Sequence, residues 1–174
     1  HCLSWLAPNG TAAIVCFTGI MYRGGAEQKI RKYLVQNNFV DCIIQLPVNL
    51  FFGTSIATCI MVMKKGKADN KVLFIDASNE FVKATNNNIL SDENLNRIVE
   101  TFAERKDIEH FSRLVPFSEI DENDYNLSVS TYVEAEDKRE KVDIVKLNEE
   151  IKQIVAREQV LRDEIDKIIR EIEE

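Results

Sequence analysis

Two short apolar runs, residues 40–46 and 56–63, lie close together in the first half of the chain. Each has the length and the content of β-branched residues that predict a buried strand. Only a loop separates them, and we expect the second strand to run antiparallel to the first.

The loop between these strands is unusual in its side chains. It opens with Pro47 and contains Gly53, two residues typical of turns. Loops normally lie at the surface and are polar, yet Leu50, Phe51 and Phe52 follow one another here. Either the phenylalanine rings fold back onto the core, or they are exposed to bind something with a flat face. The loop alone leaves both interpretations open.

The elements around this pair predict a sheet with helices. Residues 11–17 form a continuous apolar run, which predicts a strand buried on both faces. Residues 26–37 carry an apolar stripe at helical spacing. Together with the strand at 40–46, this order predicts a right-handed crossover between parallel strands. With a further strand at 72–76, the fold class is α/β, a parallel sheet with one antiparallel strand.

The region after this sheet is less regular. Residues 79–88 are polar and rich in asparagine, which predicts a mobile surface loop. Ser91 or Asp92 is suited to cap the helix that follows. Tyr125 and Tyr132 lie in a segment of mixed character. They either pack against the sheet or face a partner, and the sequence does not decide between the two.

The last part of the chain has the clearest periodicity. Residues 137–174 contain no glycine or proline, and their apolar residues recur in steps of three and four, interrupted once by Glu158. The apolar seam consists of Ile144, Leu147, Ile151, Ile154, Leu161, Ile165, Ile168 and Ile172. This spacing predicts one helix of about 35 residues. Its apolar face needs a partner, which is the same chain, a second copy or a different protein.

The charge distribution is uneven. The net charge is −7, from 22 basic and 29 acidic residues, and such a balance does not favour nonspecific binding to a polyanion. Most of the excess lies in residues 134–174. Two basic clusters nevertheless occur earlier: Arg23, Lys29, Arg31 and Lys32 form the first, and Lys64, Lys65, Lys67 and Lys71 form the second. They are either solvated ends of helices and strands or contacts to nucleic-acid phosphates.

The cysteines and histidines do not suggest a metal site. Cys2, Cys16, Cys42 and Cys59 include no Cys-x-x-Cys pair, and three of them lie in apolar runs. Buried, reduced thiols in a cytoplasmic protein explain this pattern better than disulfides or zinc. His110 has no second histidine or cysteine nearby. No apolar run approaches the roughly 18 residues that a membrane span needs.

The two central strands and their loop carry a recognisable combination of residues. Leu46-Pro47 is followed by Asn49-Leu50-Phe51-Phe52-Gly53-Thr54 and then by Ile60-Met61-Val62-Met63-Lys64-Lys65. This block resembles the modification subunits of type I restriction-modification systems, which are adenine-N6 DNA methyltransferases. The resemblance continues at Asp76-Ala77-Ser78 and in residues 124–128.

This resemblance implies a role for the loop. The aromatic residue that stacks on a flipped adenine falls at Phe51, with Phe52 as its neighbour. The physical reason is that a base removed from the duplex loses its stacking partners, and an aromatic ring replaces them.

The resemblance also implies an organisation and a set of partners. Residues 1–133 would be the C-terminal portion of a Rossmann-like, S-adenosylmethionine-dependent methyltransferase domain, and residues 134–174 a helical tail that docks on the specificity subunit. The implied partners are the specificity subunit, the restriction subunit and double-stranded DNA. The candidate contacts to the DNA backbone are Arg23, Lys29, Arg31, Lys32, Lys64 and Lys65.

Two motifs that such an enzyme needs do not occur in this chain. It contains no Asn-Pro-Pro sequence, and no acidic residue opens a Gly-x-Gly turn after a strand. In the family both motifs precede the region that includes Trp5. We therefore expect the chain to be the C-terminal part of a longer subunit, with no cofactor binding and no methyl transfer of its own. The competing interpretation is a non-catalytic α/β scaffold that self-associates through a C-terminal coiled coil.

Overall fold

The computed structural model describes residues 1–136 and 144–173. The chain divides into two compact units, His1–Glu136 and Asp137–Glu174. In chain order the elements are α1 (Cys2–Trp5), β1 (Thr11–Phe17), a 3-10 helix (Thr18–Met21), α2 (Ala26–Gln36), β2 (Val40–Gln45), β3 (Thr58–Lys64), β4 (Lys71–Asp76), β5 (Val82–Lys83), β6 (Asn88–Ile89), α3 (Asp92–Glu104), β7 (Ser112–Pro116), α4 (Phe117–Glu122), α5 (Val129–Tyr132) and α6 (Ile144–Glu173).

The first unit is built on a five-stranded sheet with the order β1-β3-β2-β4-β7. β3 is antiparallel to both β1 and β2, β4 is parallel to β2, and β7 is antiparallel to β4. The predicted reversal of β3 against β2 is confirmed. The prediction of a single antiparallel strand is wrong, because β7 is also reversed. The crossover through α2 joins strands of the same direction, but β3 lies between them.

Strand β1 is not buried on both faces as predicted. Its residues alternate between exposed and half-buried, and Val15 and Phe17 are more than half exposed. It pairs only with β3, so within this unit it is an edge strand. An apolar run of this length is compatible with either position, because it does not specify what covers the strand.

The core lies on both faces of the sheet. Side chains that alternate along a strand point to opposite faces, and β2 accordingly sends Ile43 into one cluster and Ile44 into another. The cluster around Ile43 is covered by α2, α4 and α5, and the cluster around Ile44 by α3. The first unit therefore has three layers, with helices on both faces of the sheet. It belongs to the predicted α/β class.

The tyrosines near the end of the first unit pack inward. The ring of Tyr132 lies 4.3 Å from that of Phe74, measured between centroids. Its hydroxyl donates to the carbonyl of Asn126 at 2.6 Å. Burial, with a smaller effect of the Glu119 charge, raises the pKa of Tyr132 to about 12. Tyr125 is also buried. Of the two interpretations left open by the sequence, packing against the sheet is the one observed.

The asparagine-rich segment is more ordered than expected. It contains the hairpin of β5 and β6, in which Val82 pairs with Ile89. Helix α3 then begins after Ser91, one of the two predicted caps. The Ser91 hydroxyl accepts a hydrogen bond from the Asn94 amide at 3.2 Å, and the Asn94 side chain accepts one from the Ser91 amide at 3.1 Å.

The second unit, described by itself, is helix α6. Its 30 residues agree with the long helix predicted from the periodicity. Residues 137–143 and 174 of the predicted range lie outside the described residues. Across the parts of the chain that are described, no helix is both long enough and apolar enough to cross a membrane.

Candidate functional site

Residues 46–57 connect β2 to β3, and we call them the phenylalanine loop. The loop lies at the edge of the sheet formed by the ends of the strands. The carboxyl ends of β1, β2 and β4 all point to this edge, because the three strands run in the same direction. In open α/β sheets, ligands bind beyond the carboxyl ends of parallel strands. The loop is therefore at the edge where a binding site is expected in this fold class.

Neither phenylalanine ring of this loop belongs to the core. Phe52 is 99% exposed and Phe51 is 40% exposed. Leu50 differs from them, because it packs against the cluster that contains Ile44 and Leu46. Of the two interpretations of the loop, folding of the rings onto the core is wrong for both residues. Leu50 attaches the loop to the sheet, while the next two side chains are presented to solvent.

The base of the loop is closed by hydrogen bonds. The Leu46 amide donates to the Thr58 carbonyl at 2.9 Å. The Gln45 side chain donates to the carbonyls of Leu46 and Thr58, each at 3.2 Å. Gly53 adopts a φ of +78°, a conformation that residues with a Cβ rarely take. The turn after Phe52 thus depends on a glycine.

A second segment holds the loop from the side. Residues 86–88, at the β5–β6 hairpin, make four hydrogen bonds to residues 48–51. The sequence indicated only a mobile polar loop at this place. The run of three asparagines was the available signal, since their amides can bond to backbone groups of a neighbouring segment as well as to their own.

The first basic cluster divides into two kinds of residue. Arg23, Lys29 and Lys32 are exposed. Arg23 follows the carboxyl end of β1, and its guanidinium packs over Gly19, where a Cβ would lie 2.9 Å from Cζ of Arg23. The Lys32 ammonium lies over the ring of Tyr125, 5.2 Å from its centroid.

Arg31 has a different environment, and the prediction that it contacts phosphate does not fit it. The residue is 3% exposed. Its Nε donates to the Tyr125 carbonyl at 2.9 Å and its Nη1 to the Ile20 carbonyl at 2.7 Å. Burial lowers the pKa of its guanidinium, and the charge of Glu27 partly opposes this effect. Arg31 is a structural residue that joins three segments of the first unit.

The second basic cluster lies at the opposite end of the strands from the phenylalanine loop. Thr58 of β3, next to the loop, pairs with Phe17, whereas Lys64 pairs with Thr11. The six residue steps from Thr58 to Lys64 extend about 20 Å at roughly 3.3 Å per step. Lys65 donates to the Leu6 carbonyl at 2.8 Å. Lys64 and Lys65 therefore lie at the opposite end of β3 from the phenylalanine loop.

The predicted docking residues all lie on α6. Considered by itself, this helix exposes every residue of the apolar seam from Ile144 to Ile172 to the extent of 45% or more.

The chain contains neither an Asn-Pro-Pro sequence nor an acidic residue that opens a Gly-x-Gly turn. Gly24 and Gly25, the one glycine pair, have open space at the position a Cβ would take, so no close contact there requires a glycine. The described residues also contain no group of three or more histidine, cysteine, aspartate or glutamate side chains placed to hold a metal ion.

Comparison with known proteins identifies related sequences and folds. The model of the N-6 DNA methylase family matches residues 1–141. The methylase subunit of the type I restriction enzyme MpnII from Mycoplasma pneumoniae is 50% identical over 99% of this chain, which corresponds to 32% of that protein. The MjaVII methylase subunit from Methanocaldococcus jannaschii is 40% identical over 87% of this chain and 27% of its own length.

Solved structures give the same result. The methyltransferase subunit of a type I restriction-modification system from Streptococcus thermophilus is 45% identical, with a TM-score of 0.71 over 72% of this chain and 27% of that one. The EcoKI M protein is 18% identical with a TM-score of 0.58, a likeness of fold alone. The resemblance seen in the sequence is thus confirmed. The chain spans about a third or less of the length of these two curated relatives.

Proposed function

Because the chain belongs to the N-6 DNA methylase family, we propose that it is the C-terminal part of the modification subunit of a type I restriction-modification system. The complete subunit would transfer a methyl group from S-adenosylmethionine to adenine N6 in double-stranded DNA. The residues for cofactor binding would lie outside this chain. This part would contribute the loop that holds the target base and the helix that docks on the specificity subunit.

One observation carries the proposed role of the loop: two adjacent aromatic rings are exposed beyond the carboxyl end of a central strand. Adjacent exposed apolar side chains form a patch, and such patches commonly mark binding sites. An extruded adenine needs a flat apolar surface to replace its lost neighbours, and base–aromatic stacking contributes about 1–3 kcal/mol per base. The loop presents such a surface at the edge where ligands bind in this fold class.

Phe51 is the preferred stacking residue of the pair. It is less exposed than Phe52, and its carbonyl accepts hydrogen bonds from the Asn87 side chain at 3.2 Å and from the Thr54 amide at 3.4 Å. Its backbone carbonyl is therefore held by two donors. A ring on a backbone that is already held leaves less conformational entropy to be lost when a base stacks on it.

Three substitutions at Phe51 test this role in the full-length subunit within its complex. Phe51→Ala removes the ring, Phe51→Leu keeps apolar bulk without a π-face, and Phe51→Tyr keeps the ring. If the residue stacks on the base, we expect methylation to fall about tenfold to a hundredfold for Ala and Leu, and to be retained for Tyr. The fluorescence of 2-aminopurine at the target position reports the stacked base directly. Equal rates for Leu and the wild type would remove Phe51 from the site, and the same series at Phe52 then tests its neighbour.

The proposed role of α6 is supported by its exposed apolar seam. A single helix of this kind in water leaves a continuous apolar face without a partner. We propose that the specificity subunit covers this face, and that the restriction subunit joins the complex that results. The alternative is self-association through the same seam.

A matched pair of substitutions distinguishes an interaction through the seam from a general charge effect. Ile165→Asp and Lys167→Ala each change the net charge by −1, but only the first alters the seam. We expect Ile165→Asp to weaken binding to the specificity subunit at least about tenfold, and Lys167→Ala to leave it nearly unchanged. Light scattering tests the alternative. A tight dimer of the chain that survives addition of the specificity subunit would reject the docking proposal.

Backbone contacts to DNA are proposed only for the exposed residues of the first basic cluster. Arg23 follows the carboxyl end of β1, the strand end that faces the same edge as the loop. Lys29 and Lys32 lie on α2, the helix that follows Arg23 in the chain. Replacing Arg23 by Ala should weaken binding uniformly across DNA sequences and reduce its dependence on salt, which is the behaviour of a phosphate contact.

A further inference from the structure

The β5–β6 hairpin makes four hydrogen bonds to the phenylalanine loop, and three of them end on backbone carbonyls of the loop. The Asn88 side chain donates to the Val48 carbonyl at 2.8 Å, and the Asn88 amide donates to the Asn49 carbonyl at 2.8 Å. The Asn87 side chain donates to the Phe51 carbonyl at 3.2 Å. In the opposite direction, the Asn49 side chain donates to the Asn86 carbonyl at 3.0 Å.

We propose that this hairpin positions the phenylalanine loop for base binding, with Asn88 as the main positioning residue. The inference rests on the proposed function, since it assigns to the hairpin the task of ordering the residues that would hold the base. Asn88 touches neither Phe51 nor Phe52 through its own side-chain bond, so its effect on the base would be indirect.

The loop has little internal structure that could replace these contacts. Inside it, the Thr54 amide donates to the Phe51 carbonyl at 3.4 Å, and the Ile56 amide donates to the Thr54 hydroxyl at 3.2 Å. Both bonds are longer than the two made by Asn88. Without the hairpin, residues 48–52 would gain conformational freedom that must be lost again whenever a base binds. Holding a binding group in place beforehand improves both binding and reaction, because that loss no longer opposes them.

The chemistry of the contact requires a donor at position 88. The Asn88 side chain is directed at a carbonyl oxygen, and the residue is only 8% exposed. A hydrogen bond shielded in this way has no water molecule ready to replace either partner. Aspartate has nearly the same shape as asparagine but only acceptor oxygens when ionised. In Asn88→Asp the carboxylate would face the Val48 carbonyl, and attraction would become repulsion.

Asn86 provides a control of the same composition. It belongs to the same hairpin and is exposed, and within the described residues its contact to the loop uses its backbone carbonyl. Asn86→Asp therefore introduces the same negative charge in the same hairpin without removing a donor to the loop. Asn87→Asp is a second test variant. The Asn87 side chain donates directly to the Phe51 carbonyl, and it is less buried than that of Asn88. A carboxylate at position 87 is therefore less of a risk to folding.

The experiment compares these three variants with the wild type in the full-length subunit and its complex. Amide hydrogen exchange of residues 48–54 reports the order of the loop, and exchange in β2 and β4 reports whether the fold is retained. We expect exchange in the loop to become about tenfold faster in Asn88→Asp and Asn87→Asp, which corresponds to about one lost hydrogen bond, with no change in the two strands. We expect Asn86→Asp to resemble the wild type.

Methylation kinetics provide a readout that a purely structural contact would not change. The same two variants should lower kcat about tenfold and leave KM for DNA within about twofold, because backbone contacts to DNA lie elsewhere. The 2-aminopurine signal of the extruded base should fall with kcat. Unchanged exchange in the loop, or an equal effect of Asn86→Asp, would overturn the proposal.

The two proposals fail in different ways. Faster exchange in Asn88→Asp together with normal methylation by Phe51→Ala and Phe52→Ala would mean that the hairpin orders the loop but that the loop does not hold the base. Slower methylation by Phe51→Ala with unchanged exchange in Asn88→Asp would mean the reverse. Only the combination of faster exchange and slower methylation supports both.

Discussion

The Nε of Arg31 donates a hydrogen bond to the carbonyl of Tyr125 across 2.9 Å, joining α2 to a segment 94 residues later. Through Nη1 the same side chain holds the Ile20 carbonyl at 2.7 Å. A residue that the charge pattern grouped with surface lysines is thus an internal connection. It holds the segment around Tyr125 against α2, one of the helices that cover the cluster around Ile43.

Substitution of Arg31 should therefore reduce stability. Arg31→Ala leaves two carbonyls without their donor, and we expect a loss of about 2–4 kcal/mol in the free energy of unfolding. Arg31→Lys should recover only part of it, because an ammonium cannot reproduce the fork of the guanidinium. Urea denaturation measures the difference. Lys29→Ala, on the exposed face of the same helix, should remain within about 0.5 kcal/mol of the wild type, and an equal effect of the two would contradict the role of Arg31.

Asp41 and Arg105 form a second connection at the amino end of β2. The Arg105 Nη1 lies 2.9 Å from Oδ1 of Asp41, whose side chain is 7% exposed. Arg105→Ala removes the hydrogen-bonded partner of this carboxylate, leaves Lys67 as its nearby cation, and should cost about 1–3 kcal/mol. Adding Asp41→Asn removes the unpaired charge and should restore part of the loss. A double-mutant cycle gives the coupling energy. If the double substitution costs as much as the two single substitutions added together, the pair is not coupled.

The exposed ring of Phe52 should contribute nothing to folding. At 99% exposure it has no packing to lose, so Phe52→Ala should change the free energy of unfolding by less than about 0.5 kcal/mol. Leu46, at the base of the same loop, is 3% exposed, and Leu46→Ala should cost about 2–5 kcal/mol. A cost above 1 kcal/mol for Phe52→Ala would place the ring in the core. The result also decides whether an effect of this substitution on methylation can be attributed to binding.

Stability should decrease at alkaline pH. Burial, with a smaller effect of Cys16, raises the pKa of the Cys59 thiol from 9.0 to about 12, and burial raises that of Tyr132 from 10.0 to about 12. The unfolded chain thus releases these protons at lower pH than the folded chain. The free energy of unfolding should be independent of these groups below about pH 9 and fall as the pH rises from 9 towards 12.

Two variants identify the groups responsible. Cys59→Ala should make the decline above pH 9 less steep, and Tyr132→Phe should do so above pH 10, although each also lowers stability at neutral pH. Urea denaturation at a series of pH values from 7.5 to 10.5 gives the slopes. Parallel curves for Cys59→Ala and the wild type would show that the thiol does not contribute.

Several elements could be predicted because their signals are local. The strands at 40–46 and 56–63 appear as β2 and β3, and the reversal of the second is confirmed. The heptad spacing after residue 144 predicted a long helix, which is α6. The motif around Phe51 identified the family. In each case the signal lies within a short stretch of the sequence, where periodicity and residue type are sufficient to identify the element.

Other features depend on where distant segments meet. The sequence did not indicate that β3 lies between β1 and β2, that β7 is reversed or that Arg31 is buried. Charge and hydrophobicity along the chain do not encode these relations. β7 was missed because its five residues form neither an apolar run nor a regular alternation of buried and exposed positions.

The amino-acid sequence by itself determined the class of fold, the family, the aromatic loop and the helical C-terminal region, since these depend on residue type and spacing along the chain. Only the tertiary structure decided which residues can act together. It exposed Phe51 and Phe52, buried Arg31, and brought Asn88 to within 2.8 Å of Val48, forty residues earlier. The reason is physical: a hydrogen bond or a buried surface forms between neighbours in space, and the packing of the sheet determines which residues those are.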